Sequence, residues 1–548
     1  MPGSWSQRAW VNTGCGALIL WGFLAHAWHF RAYINDDAYI TFRYSLNLAA
    51  GRGPYFNAGE HVEGYTNFLL MVVLAGVSRA AGPDSVPTAA RFIGVLGGVT
   101  ALVAAYALCR RWLRRVESAA PHAALFAWLA PALVAVNGAY ALNSVSGLET
   151  TLFSGFIMLA AWLAQRAADT GRWHAAGVAA ALAALTRPEG VLVGVGLVGG
   201  GFAHWLTDVK ARRARVAPRG ILADAIVVGV AVLGHLGLRA WLYDGELVPN
   251  TYYAKMGGFS AFTAAHRYIG EFAARHLGGP VAVAALLPLL ARDTGVRRAV
   301  LPAMSVLALA LAGVFATGSD WMLGYRLLVP FVPLWAALSV CGIAGVAARF
   351  ARTTVVGTSG FMVLVAACLW CGRFAEDYHA TITLSAHGYK TGHVALARWL
   401  HDNAAAGDTV ALMDIGLVGY GNPQLRILDL TGLTDRHIAK SPGGFVDKHY
   451  DPAYVLDQRP RYIVITMTGF RAASGEFRYN PWTGVEARLA EHPRFARDYR
   501  RLRARPLTED PCESWAALFG AERVFQHDDR RKLYLLTVYE RRPEGAWE

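Results

Sequence analysis

The sequence predicts a polytopic α-helical membrane protein that ends in a C-terminal extracytoplasmic α/β domain. Three observations carry that prediction. Hydrophobic residues make up 54% of the 548 and charged residues only 17%, a balance too apolar for a string of soluble domains. The apolar residues gather into blocks of about 15–22, long enough to cross a bilayer, as far as roughly residue 372, after which the composition becomes that of a soluble domain. Basic residues sit mostly in short clusters between the blocks, so the formal charge of +13 fits membrane topology better than nucleic-acid binding.

The expected spans are residues 10–30, 88–109, 121–137, 151–165, 174–186, 190–206, 220–241, 278–291, 298–317, 325–348 and 354–372, about eleven transmembrane helices. Three of them, 151–165, 174–186 and 278–291, are short for a full crossing. Ala25-His26-Ala27 ends a short apolar run as a cleavable signal peptide would, but the block from Trp10 to Phe30 is long enough to span and is read as an uncleaved helix. The basic clusters Arg110 to Arg115, Lys210 to Arg219, Arg292 to Arg298 and Arg349 to Arg352 fall in alternate connections, which the positive-inside rule assigns to the cytoplasm. The opposite face then receives the loop with Asp36 and Asp37, the connections 137–150, 186–190, 243–255 and 317–326, and everything beyond 374. Thr66 to Val77 is apolar too, yet as a crossing it would put Arg110 to Arg115 outside, so it reads as a half-embedded interfacial helix.

The chain therefore divides into a membrane region, 1–373, with a first extracytoplasmic loop at 31–65, and a soluble region, 374–548. In the soluble region a helix-like stretch at 397–407 precedes short apolar runs at 408–414, 426–430, 461–467 and 532–540, separated by turn residues. Five of the six cysteines lie in or beside apolar blocks, which leaves no disulfide framework or zinc pattern.

Asn35-Asp36-Asp37 opens a stretch that can be helical through Ala50. Capping accounts for one acid. It does not require two, nor does it explain Arg43, seven residues on and on the same helical face. A carboxylate at the membrane surface can act as a general base toward a sugar hydroxyl; two adjacent ones can instead share a divalent cation such as Mg or Mn. The residues leave both open. Ser146 to Glu149 has capping-box spacing before an apolar run. Thr186 to Gly190 reads as a hairpin whose Arg187 needs an anionic partner, either Glu189 or a lipid phosphate. The strings holding Asn250, Tyr252 and Lys255, and Asp320, Trp321 and Arg326, combine rings with one cation each, as an interfacial aromatic belt or a sugar-phosphate site would.

Asp36-Asp37-Ala38-Tyr39, Phe42-Arg43-Tyr44, Asn47-Leu48, Phe56-Asn57 and Val62-Glu63-Gly64-Tyr65-Thr66-Asn67 are followed in order by Pro249 to Lys255, Gly318 to Pro330 and Asp429 to His437. This set resembles the membrane-embedded GT-C glycosyltransferases that take sugars from polyprenyl-phosphate donors, in the version found in terminal arabinofuranosyltransferases and their bacterial relatives. Ala58, His61, Leu70, Ser319, Thr431 and Thr434 depart from the pattern and weaken any inference about which sugar is moved.

The resemblance implies a GT-C-like fold in a bacterial cytoplasmic (inner) membrane, with the active site and C-terminal domain outside. It implies transfer of a sugar, arabinofuranose being a candidate, from a polyprenyl-phosphate donor to a cell-envelope glycan or glycoprotein, with inversion. Asp36 would be the general base and Asp37 its partner, or the reverse. Arg43, Arg187, Lys255 and Arg326 would meet the donor phosphate, and Tyr39, Glu63, Tyr65, Asn67, Asn250, Tyr252, Asp320 and Trp321 the substrates. A polyprenyl phosphate leaves readily, so no general acid and no certain cofactor is implied; a Mg or Mn ion at Asp36 and Asp37 stays open. The alternatives are a lipid-linked-saccharide flippase and a non-catalytic envelope assembly factor. A flippase would place charges along several span interiors, whereas these collect at one face.

Overall fold

The computed structural model describes residues 3–33, 35–117, 119–171, 175–210, 218–255, 261–291, 293–320, 322–350, isolated positions from 362 to 389, and then 390–471, 477–502, 519–525 and 528–543. Trp321 and most of the span expected at 354–372 lie outside the described residues. Two compact units interleave along the chain: Met1–Arg31, Ala90–Leu236 and Ser260–Ala380 form one, and Ala32–Ala89, Gly237–Phe259 and Thr381–Glu548 form the other.

The first unit is a helical bundle whose close approaches are set by small residues. A Cβ on Gly196 would lie 2.8 Å from the Val306 backbone, and one on Gly200 would lie 2.5 Å from that of Pro302. This Gly-x-x-x-Gly spacing lets the helix Gly190–Lys210 pack directly on the backbone of Thr294–Thr317, which is how helices gain contact where lipid offers no hydrophobic drive. Inside the bundle the Trp112 Nε1–H donates to Gln165 Oε1 at 2.9 Å.

Among the described residues, six helices are long and apolar enough to cross a membrane: Pro83–Leu113, Thr150–Thr170, Gly190–Thr207, Pro218–Leu242, Thr294–Thr317 and Val329–Ala348. A seventh span results if Ala120–Ala135 and Gly138–Val145, bent by 66°, are counted as one. The chain is thus a multi-pass membrane protein, with the expected count of eleven reached only in part. Residues 137–150, expected as a loop, contain the buried helix Gly138–Val145, and 278–291 forms only the short turns Pro280–Ala284 and Leu287–Leu290. Pro280 and Pro288 stand at the starts of these turns, where a proline is tolerated, and Pro288 prevents one helix from running through both.

The second unit contains a mixed sheet. Its strands, with a separate two-stranded ribbon, are β1 (Thr409–Leu412), β2 (Arg426–Asp429), β3 (Gly443–Gly444), β4 (Asp447–Lys448), β5 (Tyr462–Arg471), β6 (Phe477–Pro481), β7 (Tyr499–Arg501), β8 (Phe519–Phe525) and β9 (Asp528–Arg541). The order is β2-β1-β5-β9-β7, with β6 beside β5, β8 beside β9, and β3-β4 as the ribbon. β1 runs parallel to β2 and β5, while β9 is antiparallel to β5. The parallel strands are buried runs rather than alternating ones, as strands covered on both faces are.

Within this unit the first-loop segment is held by side-chain amides and a guanidinium. Asn57 treats β2 as a neighbouring strand would: its Oδ1 accepts from Ile427 N at 3.0 Å and its Nδ2 donates to Ile427 O at 2.8 Å. That satisfies an edge strand without adding one. The helix Phe68–Ala81 is 14 residues long, buries Leu70, Met71 and Leu74, and receives the Ser45 hydroxyl at Met71 O, 2.9 Å. Val72 and Val73 stay exposed on its other face, and at 14 residues the helix is short for a full crossing.

Candidate active site

The helix Asp36–Ala49 starts where the sequence predicts. Asn35 is extended and its Oδ1 accepts from Asp37 N at 3.0 Å, so Asn35 rather than Asp36 is the cap. Neither carboxylate is needed as the cap. Asp36 is 5% exposed; its Oδ2 accepts from Gly416 N at 2.9 Å and its Oδ1 from Leu417 N at 2.7 Å. Both donors begin the short helix Ile415–Gly421, whose cap residue Asp414 lies 2.8 Å from His393 Nε2. A Cβ on Gly416 would overlap the Asp36 carbonyl, so only glycine allows this contact. Asp37, one position round the helix, is half-buried, as is Tyr39, whose ring meets Tyr420 edge-on at 5.3 Å.

Burial, with the Asp414 carboxylate beside it, pushes the Asp36 carboxyl up to about 6, against the pull of His393 and the two N–H donors. Burial likewise pushes Asp429 up to about 6, against hydrogen bonds from Thr431 and Thr434. Both values lie above the ordinary carboxylate value of about 4. The folded state therefore holds more protons than the unfolded one between about pH 4 and 6, and the stability this gives is complete below that window and lost as pH rises through it. Hydrogen exchange at residues 415–435, corrected for intrinsic rate, is expected to quicken by on the order of a hundredfold or more between pH 4 and 7. Asp36→Asn should flatten the response, and rates independent of pH in the native protein would remove the premise.

A divalent cation does not suit Asp36, because the groups facing its two oxygens are N–H donors that present positive hydrogens where the ion would sit. Among the described residues, no group of three or more His, Cys, Asp or Glu could hold a metal.

The other expected site residues divide sharply by environment. Arg43 is 2% exposed, with its planar fork spent on protein carbonyls: Nε donates to Phe56 O at 2.7 Å, Nη1 to Gly419 O at 2.6 Å and Nη2 to Leu425 O at 2.7 Å. It also lies over the Phe56 ring at 4.5 Å. These bonds take it out of the phosphate-binding group and make it the tie between the first loop and residues 419–425. Glu63 pairs with Arg239 at 2.6 Å, Tyr65 shares a hydrogen bond with Tyr243 at 3.1 Å, Asn67 accepts from Thr41 at 3.1 Å, and Asn250 donates to Gly432 O at 2.7 Å. All four are buried and hold the second unit together. Tyr252 and Lys255 are exposed, the latter with its ammonium 5.5 Å from the Phe445 ring centroid.

In the first unit three polar connections meet. Arg187 lies between Glu149 at 3.4 Å and Glu189 at 3.2 Å, and donates to Arg326 O at 3.2 Å; Arg326 is itself paired with Asp320. Ser146 ends one helix instead of capping the next, and Glu149 turns to Arg187, so the capping-box expectation fails. The reason is that Arg187, buried beside Phe153, needs carboxylates more than the helix start needs a cap.

Asp414, His393 and Gly416 escaped the sequence reading. They lie more than 350 residues beyond Asp36, His393 in a helical segment and Asp414 and Gly416 at the end of the apolar run 408–414, and no local pattern ties them to it. The second unit also contains an open cleft of about 740 Å³, lined by Glu60, Asp244 and Asp435 as well as Arg426, Arg436 and Lys440. These three carboxylates and three cations balance. His437 stacks on Tyr454 there at 4.1 Å.

Residues 380–522 match a family described as a domain of unknown function, DUF8728. The chain is 28% identical over 372 residues to the terminal beta-(1->2)-arabinofuranosyltransferase of Mycobacterium tuberculosis, covering 61% of this chain and 56% of that protein. It is 38% identical over 97 residues to the protein of the same name from Corynebacterium glutamicum, covering 16% and 14%. The chain thus spans little more than half the length of the first of these relatives and a small part of the second. Among solved structures, the archaeal oligosaccharyltransferase AglB from Archaeoglobus fulgidus, in complex with an inhibitory peptide and a dolichol-phosphate, aligns with a TM-score of 0.59 at 12% identity over 91% of this chain and 80% of that one. That is a likeness of fold across nearly the whole chain, in keeping with the GT-C architecture.

Proposed function

We propose that this chain is an integral membrane glycosyltransferase that transfers a sugar, arabinofuranose first among candidates, from a polyprenyl phosphate to a glycan or glycoprotein of the cell envelope. The observation that carries the proposal is the similarity over 372 residues to a terminal arabinofuranosyltransferase; the fold shared with AglB supports it. Asp37 is the general base. Asp36 has both oxygens engaged by backbone N–H groups, so its part is to position the helix that presents Asp37. The acceptor hydroxyl gives its proton to Asp37 as its oxygen attacks the anomeric carbon, and the bond to the polyprenyl phosphate breaks on the opposite face, which inverts the centre. Lys255, exposed with its ammonium over the Phe445 ring, and Arg187 and Arg326, each paired with a carboxylate, are the candidate cations for the growing phosphate charge. The charge-balanced cleft with its stacked His437 and Tyr454 suits a neutral glycan, so it is assigned to the acceptor.

The test is transfer by the purified full chain from a panel of polyprenyl-phosphate sugars, polyprenyl-phosphate arabinofuranose included, to arabinan oligosaccharides. Transfer is expected to persist in a chelator, and Tyr454→Ala is expected to raise the acceptor KM about 10-fold with the donor KM unchanged. A well-folded protein that transfers none of the sugars would end the proposal.

A further inference from the structure

The first unit contains a second cavity, unrelated to the acids. It measures about 270 Å³ and lies among five helices, Thr150–Thr170, Ala176–Thr186, Gly190–Lys210, Pro218–Leu242 and, through Pro302, Thr294–Thr317. Its walls are side chains too small to fill it, such as Ala164, Ala168, Ala180 and Gly201, with Leu197 and Ile221. It touches the last turns of the first helix, the first turns of the second, Gly194 to His204 of the third, the beginning of the fourth and Pro302 of the fifth. It therefore occupies one end of the bundle. That is the end at which the basic connection Lys210 to Arg219 joins two helices, and Arg219 and His204 line the cavity. The third polar group, Asp224, is turned to the backbone, its Oδ1 accepting from Gly177 N at 2.7 Å. The helix Pro218–Leu242, which forms one wall, exposes Leu222, Ile226, Val230 and Leu233, as a lipid-facing helix does.

An apolar slot that a cation borders at the end of a lipid-facing helix is complementary to one molecule class, a chain-bearing lipid with an anionic head. We propose that this slot binds an acyl chain of an anionic glycerophospholipid whose phosphate sits against Arg219 and His204. The slot serves to lock these helices together and is separate from the sugar donor. Gly201 offers a clean way to close it, because a Cβ there would lie 3.8 Å from Ile221 Cδ1, an ordinary contact, and leucine favours the helix more than glycine does.

The experiment is native mass spectrometry of the delipidated full chain in detergent, incubated separately with phosphatidylglycerol and phosphatidylcholine. The native protein is expected to retain one phosphatidylglycerol about fivefold better than phosphatidylcholine, the worth of one cation near a lipid head. Arg219→Gln should bring the two to parity, and Gly201→Leu should lower retention of both while its melting temperature stays at the native value. If Gly201→Leu fails to fold, Arg219→Gln decides alone. An unchanged preference in Arg219→Gln, or displacement of the bound phosphatidylglycerol by an equimolar polyprenyl phosphate, would overturn the assignment. None of these readouts involves sugar transfer, so they succeed or fail independently of the proposed enzyme activity.

Discussion

Asp37→Asn is expected to reduce sugar transfer by about 10²–10⁴-fold with the fold intact, the size of effect that loss of a general base brings. The substitution preserves shape and leaves the Asp37 N–H bond to Asn35 in place, so melting temperature and donor binding should stay near native. Asp36→Asn should behave differently. Its amide nitrogen would face one of two backbone N–H groups that now donate to a carboxylate, and a buried donor-donor contact costs about 1–3 kcal/mol. The second unit would loosen, with activity falling through stability as well as through position. Rate measurements at saturating donor, taken beside thermal unfolding of each variant, separate the two. The assignment fails if Asp37→Asn turns over normally, or if Asp36→Asn is inactive at native stability.

The largest stability effect is expected at Arg43. Arg43→Met removes the Leu425 carbonyl's guanidinium donor and leaves those of Phe56 and Gly419 with only Asn47 Nδ2 and Asn422 N, a loss of about 3–5 kcal/mol for breaking a buried charged network. Arg43→Lys should recover little, because an ammonium cannot reproduce a planar fork that reaches three separate carbonyls. Hydrogen exchange over residues 415–430 and the unfolding midpoint of the second unit are the measurements. A phosphate ligand would give the opposite signature: native stability with a raised donor KM.

Arg43 also shows why a shared motif is ambiguous. Its place on the face of Asp36, seven residues on, suggests joint chemistry. That spacing is real, yet what the face meets is the 415–425 segment, with Asp36 bonded to its beginning and Arg43 to its end. Asn57 and Asn250 follow the same pattern, each spending its amide on backbone of the C-terminal segment. Much of the quoted resemblance is therefore carried by residues that tie a loop to a sheet.

What could be read directly from the chain were the features set by local composition: the apolar blocks, the four main strands at 409–412, 426–429, 462–471 and 528–541, and the helix that Asn35 caps. Each depends on a few neighbouring residues, through burial period or cap chemistry. Tertiary structure alone decided how the polar residues are spent, since a carboxylate or guanidinium is valued by the partner it finds, and those partners lie hundreds of residues away. Of the two acids expected as base and partner in either order, Asp36 is buried with both oxygens accepting from distant N–H groups and Asp37 is half-buried, a difference that no local pattern carries.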